Sequence, residues 1–186
     1  MIPSTGDLND HIPGADMIRP ARHGDVEAVL ALVRGLAAYE REPDAVAMTA
    51  DDLTMALFGD PPAAHCLVAG SPNPAGDVAD VVGFAMWHPT FSTWTGKSGM
   101  YLIDLFVRPE HRRAGHGREL LTELARICGR RGYLRLEWAV LDWNTPAHAF
   151  YRSVGAAPTS EWTTWRLDAR AIDTLAGPRP HHDSVT

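Results

Sequence analysis

Apolar positions along the chain follow two rhythms, and their alternation predicts an α/β fold. Val26, Val29, Leu30, Val33, Leu36 and Ala37 recur at helical spacing, which predicts an amphipathic helix over 24–38 with Asp25 near its positive end. Thr49 is placed to cap a second, short helix ending at Leu57, with Asp51 and Asp52 in its first turn. A short strand is expected at 17–20. Residues 65–69 and 81–87 read as apolar strands joined by a surface loop over 70–80. Residues 99–107 (GMYLIDLFV) are apolar on both faces apart from Asp104, the mark of a central strand covered on two sides.

Helical spacing returns in Leu120, Leu121, Leu124 and Cys128. This helix ends among Arg126, Arg130 and Arg131, where positive charge suits its C-terminus. Leu134, Leu136, Trp138 and Val140 alternate, predicting a strand over 133–140. Asn144 or Thr145 caps a short helix with Pro146 at its first position. A Trp-rich strand over 161–167 is expected to close the fold. The order β, α, α, β, β, β, α, β, α, β describes a mixed α/β domain with helices on both faces of one sheet.

Composition narrows this picture. The chain has 186 residues, 45% of them hydrophobic, which suits one domain over 17–170. Residues 1–16 and 171–186 read as an N-terminal and a C-terminal tail, the former without the basic start and apolar stretch of a leader. No apolar run approaches the length of a membrane span. Two cysteines, Cys66 and Cys128, are too few for a disulfide framework and fit a reduced cytoplasmic setting. A net charge of −6 argues against a general nucleic-acid binder.

The charge is unevenly spread. Between Arg108 and Arg135 lie eight arginines and three glutamates, while 40–60 carries six acidic residues against Arg41 alone. Such a division suits a protein that holds an anionic ligand with one segment and a cationic ligand with another. Nine histidines, among them His111 and His116, show no metal-ligand spacing, so no metal is expected.

The basic segment contains RPEHRRAGHGREL, residues 108–120, between the buried strand and the long helix. A dinucleotide fingerprint needs a third Gly at position 120, where Leu120 stands. A phosphate-binding P-loop around Gly96-Lys97-Ser98 needs a Gly where Phe91 stands. What remains is Arg112-x-x-Gly115-x-Gly117. Glycines let a backbone approach a ligand closely, and free N–H groups at a helix N-terminus bind phosphate oxygens.

That turn resembles the Q/R-x-x-G-x-G/A signature of the GNAT N-acetyltransferases. Over roughly 17–168, LAAYE (36–40), HCLVA (65–69), VVGFAMW (81–87), STWTGK (92–97), MYLIDLFV (100–107), AVLDWN (139–144) and FYRSVGA (150–156) are similar to the diamine and thialysine acetyltransferases of that superfamily. The resemblance implies a mostly antiparallel sheet splayed at its central strands, acetyl-CoA as co-substrate and a homodimer. It implies that backbone groups of Leu105, Phe106 and Val107 meet the pantetheine arm. Arg112, Arg113, Ala114, Gly115, His116, Gly117 and Arg118 would then surround the pyrophosphate, with Asn144, Ala147 and Tyr151 completing the coenzyme site. Tyr39, Glu40, Trp94, Glu137, Trp138 and Ala139 would face the amine.

The implied chemistry is direct transfer to a small cationic amine. Tyr151 lies on a stripe with Ala147, Phe150 and Val154, and by resemblance protonates the departing thiolate. An ordinary phenol, with a pKa of about 10, keeps its proton at neutral pH. No covalent enzyme intermediate is needed, so neither cysteine is expected to act as a nucleophile. Two positions depart from the family: Ile103 stands where the diamine enzymes have their proposed base, and Ser92 where their polyamine site has an Asp. Asp104 is retained, and Glu40 and Glu137 are nearby by resemblance, which leaves these carboxylates or a water chain to take the proton. Loss of two acids favours a smaller or singly charged amine over a polyamine. Acetylation of a protein lysine or an antibiotic amine, or a catalytically silent acyl-CoA-binding module, are the alternatives.

Overall fold

The computed structural model describes residues 18–72, 78–159 and 163–177, so Met17, most of the two tails and part of the 70–80 loop lie outside the described residues. The chain divides into two compact units, residues 1–143 and 144–186. In the first, the elements are β1 (Ile18–Pro20), α1 (Val26–Tyr39), α2 (Ala50–Phe58), β2 (His65–Pro72), β3 (Val78–Ser92), β4 (Lys97–Val107), α3 (His116–Arg131) and β5 (Leu136–Glu137). The second holds α4 (Thr145–Ser153) and α5 (Ala169–Ala176).

The five strands form one sheet in the order β1-β2-β3-β4-β5, antiparallel throughout except for the parallel pair β4–β5. Local signals place the helices. Before α1, Asp25 closes a short 3-10 turn (His23–Asp25). Thr49 caps α2 by accepting the Asp52 N–H (3.1 Å), while Asp52 accepts the Thr49 N–H (2.9 Å). Gly132, at φ 66, ends α3 in the left-handed conformation.

The two faces of the sheet pack against different helices. Cys66, Val68, Phe84, Met86 and Phe106 join Val29, Leu30, Leu32 of α1 and Leu53, Leu57 of α2 in one core. On the opposite face Met100 meets Cys128 of α3, with the two sulfurs 3.9 Å apart, and Arg131 lies 5.1 Å over the Trp87 ring. One irregularity lets β4 serve both. Met86 pairs with Asp104 but Trp87 pairs with Leu102, so Ile103 is an extra residue, a β-bulge. Paired residues share a face, so the bulge sends Met100 and Leu102 toward α3 and Asp104 and Phe106 toward α1.

Three expectations change. Strands β2 and β3 continue through 70–72 and 78–80, so the loop is shorter than the Gly/Pro content suggested; the flanking residues pair across bulges after Ala69 and Ser71. The strand expected over 133–140 shrinks to Leu136–Glu137, because only Met100 and Tyr101 offer it a partner. Residues 163–168 are irregular and exposed, so the closing strand over 161–167 does not form there; 161 and 162 lie outside the described residues. Helix α5, capped by Asp168 accepting the Ala171 N–H (2.8 Å), occupies part of the stretch assigned to the C-terminal tail. No helix among the described residues is long and apolar enough to cross a membrane.

Asp25 ties β1 to the start of α1. Arg19 grips its carboxylate with two N–H groups at 2.6 and 2.9 Å, and the Arg22 N–H adds a bond at 2.7 Å. Burial pushes the Asp25 pKa up, but the bonds from Arg19 and Arg22 outweigh it and hold the carboxyl below its ordinary range. Removing one partner of such a pair strands the other, so Asp25→Ala is expected to lower unfolding free energy by about 3 kcal/mol in urea titration. A depressed folded pKa stabilises above the unfolded carboxylate value and stops doing so as pH falls through the folded one. Wild type should therefore lose this contribution below about pH 4, and the variant should not.

Candidate active site

Four features converge at the end of β4. The first is the unpaired strand edge. Beyond Tyr101, β4 has no strand partner on its β5 side among the described residues, which leaves the backbone of Leu105, Phe106 and Val107 along an open edge. The Val107 carbonyl already accepts a bond from Arg112 Nε (3.0 Å).

The second is the turn that follows. After a 3-10 turn (Pro109–His111), Arg113 takes φ 66 and Gly115 φ 101, so two of the three residues 113–115 have positive φ. Gly115 is the N-cap of α3, and the first helical bonds run from the Arg118 and Glu119 N–H groups to its carbonyl. The amides ahead of them point out of the helix end, where the dipole favours an anion, and Arg113 and Arg118 flank it. His116 begins α3 as a buried residue, 5% exposed, with Nδ1 4.0 Å from Glu119 Oε2.

The third is a cleft of about 450 Å³ between α1 and the end of β4. Leu32, Gly35 and Tyr39 line one wall, Phe106 and Arg108 the other. Gly35 makes the close approach possible: a Cβ there would stand 3.2 Å from the Phe106 ring.

The fourth is an acidic pair. Burial, and then the negative charge of Glu40 at the end of α1, push the Asp104 pKa above the usual carboxylate range; burial alone does the same to Glu40. Glu137 stands apart from this pair, bonded at 2.8 Å to Arg135 Nε.

Aromatic rings and guanidinium groups border the acids. Arg112 lies 4.7 Å over Tyr39 and 5.5 Å over Phe106, Tyr39 is 6.0 Å from Trp143, and Arg41 lies 4.7 Å over Trp143. The structure thus gathers Tyr39, Glu40, Asp104, Phe106 and Arg112. Trp94 stands 86% exposed at the β3–β4 turn, and Trp138 and Ala139 lie in irregular chain beyond β5. Ser92 is buried and its Oγ accepts the Thr95 N–H (3.4 Å), so it serves that same turn. Arg41 and Trp143 were not singled out by sequence reasoning; the available signal was an Arg directly after the helical apolar pattern.

In the second unit, Asn144 Oδ1 accepts the Ala147 N–H (3.3 Å) and Pro146 occupies the first turn of α4, as expected. Tyr151 is on α4, its ring 5.2 Å from that of Phe150. The cysteines are unsuited to attack: burial pushes the Cys66 thiol up to about 12 and also raises Cys128. Among the described residues no group of three or more His, Cys, Asp or Glu gathers where a metal could sit.

Comparison with known proteins gives a consistent result. Residues 31–156 match the acetyltransferase (GNAT) family. Thialysine N-epsilon-acetyltransferase of Bos taurus is 37% identical over 166 residues, covering 87% of this chain and 97% of that protein. A spermidine/spermine N(1)-acetyltransferase-like protein of Homo sapiens is 37% identical over 153 residues, 81% of this chain and 22% of its own length. The L-ornithine N5-acetyltransferase of Arabidopsis thaliana is 38% identical over 104 residues, 56% of this chain and 45% of its own. Among solved structures, an integron cassette protein from Vibrio cholerae superposes with a TM-score of 0.70 at 25% identity, covering 87% of this chain and 97% of that one.

Proposed function

We propose, since this chain belongs to the acetyltransferase (GNAT) family, that it moves an acetyl group from acetyl-CoA directly to the primary amine of a small cationic acceptor. The chain is an N-acetyltransferase, and relatives named for thialysine, polyamine and ornithine acetylation support small amines as its acceptor class. The observation that carries the finer reading is the bulge at Ile103, which aims Asp104 toward Glu40 beside an open strand edge.

The residues of the first unit fit an acyl-CoA. The left-handed turn before α3 offers its amides and arginines to the pyrophosphate, and the free edge at Leu105 and Phe106 suits the amides of the pantetheine arm. Acetyl-CoA supplies an activated thioester carbonyl. The acceptor ammonium first gives up a proton, for which Asp104, kept basic by burial and by Glu40, is the acceptor. The neutral amine nitrogen then bonds to the carbonyl carbon, and a backbone N–H on β4 stabilises the developing oxyanion. The carbon–sulfur bond breaks, the sulfur leaves with the electron pair, and Tyr151 donates the proton that makes the free thiol; this last role rests on the sequence resemblance. Asn144 and Ala147 are assigned to the coenzyme on the same ground, and so is the homodimer.

Gly115 gives a direct check on the turn. At φ 101 a β-branched side chain is strained, so Gly115→Val is expected to raise the KM for acetyl-CoA about 10-fold or more with a smaller change in the amine KM. Equal effects on both would detach the turn from coenzyme binding. The function itself is tested by thiol release from acetyl-CoA across a panel of small amines. Release well above the hydrolysis rate with at least one amine is expected. Tight CoA binding with no release for any amine would leave the acyl-CoA-binding module, the reading that Ile103 in place of an acid favours.

A further inference from the structure

The end of α1 holds a cation where helices ordinarily place glycine. Arg41 follows the helix at φ 68. Its N–H bonds to the Ala38 carbonyl (3.2 Å) and the Glu42 N–H bonds to that of Ala37 (2.9 Å), the paired closure whose left-handed residue is usually Gly. A side chain with a Cβ is strained in that conformation, and such strain persists where the side chain has another use.

Arg41 rests on an aromatic ring. Its guanidinium stacks 4.7 Å over Trp143, and Trp143 leans on Tyr39, which carries Arg112. Stacking occupies the face of a guanidinium and leaves its N–H edge for an anion. Among the described residues no carboxylate pairs with Arg41, whereas Arg19, Arg126, Arg130 and Arg135 each pair with one. The next residue toward the helix is Glu40, the partner of Asp104. One wall therefore carries two acids suited to an ammonium and, adjoining them, one pre-positioned cation.

We propose that Arg41 is a specificity-determining residue: it binds the carboxylate of an α,ω-diamino acid whose terminal amine is held by Asp104 and Glu40. This rests on the small-amine acetyltransferase reading above. A polyamine presents a second ammonium at that place and is repelled, whereas a diamino acid satisfies both ends.

The test uses the full chain, saturating acetyl-CoA and two matched acceptor pairs, lysine against cadaverine and ornithine against putrescine. Each pair differs by one carboxylate. Wild type is expected to prefer the amino acids. Arg41→Gln should raise their KM about 10- to 100-fold, with kcat little changed and the diamine KM equal or lower. Arg41→Lys, which keeps the charge but loses the planar stack, should retain part of the preference. Arg41→Gly should abolish the preference while leaving Tm unchanged or higher, a separation that a merely structural role does not give. An unchanged lysine-to-cadaverine ratio in Arg41→Gln, or a wild type that prefers the diamines, overturns the proposal and leaves the acetyltransferase reading intact. A wild type that acetylates no amine overturns both.

Discussion

Asp104→Asn is expected to lower kcat/KM about 100-fold or more, the usual worth of a positioned base, without weakening the fold. Burial, and then Glu40, raise the Asp104 pKa. As a proton acceptor it works only when ionised, so wild-type kcat/KM should rise with pH through that raised value and then level off. The Asn variant should lack this limb. Glu40→Gln removes a negative charge from beside Asp104 and should move the limb to lower pH. The stability sign is opposite to the activity sign. A carboxyl whose folded pKa exceeds its unfolded one supplies stability below the unfolded value and loses it as pH rises through the folded value. At neutral pH the ionised Asp104 thus weighs against folding, and Tm of the near-isosteric Asn variant should be equal or higher. Activity and Tm falling together would make Asp104 structural, and unchanged kcat/KM would remove it as the base.

Tyr151→Phe is the second large effect. Loss of the phenolic proton leaves the CoA sulfur to depart as a thiolate, and kcat is expected to fall about 100-fold. The hydroxyl is one atom on a ring that Phe preserves, so α4 should keep its fold, and the KM for acetyl-CoA should change little. Circular dichroism and steady-state kinetics check both halves. Turnover equal to wild type would mean that the thiolate leaves unaided.

The two variants probe residues that became legible in different ways. Tyr151 and its helix are local: Pro146, the Asn144 cap and the apolar stripe are all written within a dozen residues, and α4 forms as expected. Helices α1, α2 and α3 and strands β2, β3 and β4 were legible for the same reason. So was the Gly turn, because a left-handed backbone at Gly115 is a demand the residue itself announces. The position of Asp104 is not local. Its side chain faces α1 only because β3 skips Ile103, which is a property of strand register. The alternation of Trp138 and Val140 suggested strand, yet strands need partners, and pairing with β4 stops at Glu137. The contact between Arg41 and Trp143 joins segments far apart in the chain, so no window of sequence contains it.

The bulge at Ile103 decides which changes β4 tolerates. Because it is the unpaired residue of the bulge, 40% exposed, its side chain belongs neither to the layer under α3 nor to the layer under α1. Substitutions there leave both packed layers their contacts. Position 103 is therefore a place where point substitution leaves folding nearly indifferent to the choice of side chain. Deleting it would leave Leu102 paired with Trp87 and Asp104 with Met86 on an unbulged ladder, each still facing its own helix layer, so the deletion would straighten the strand and leave the facing of Asp104 unchanged.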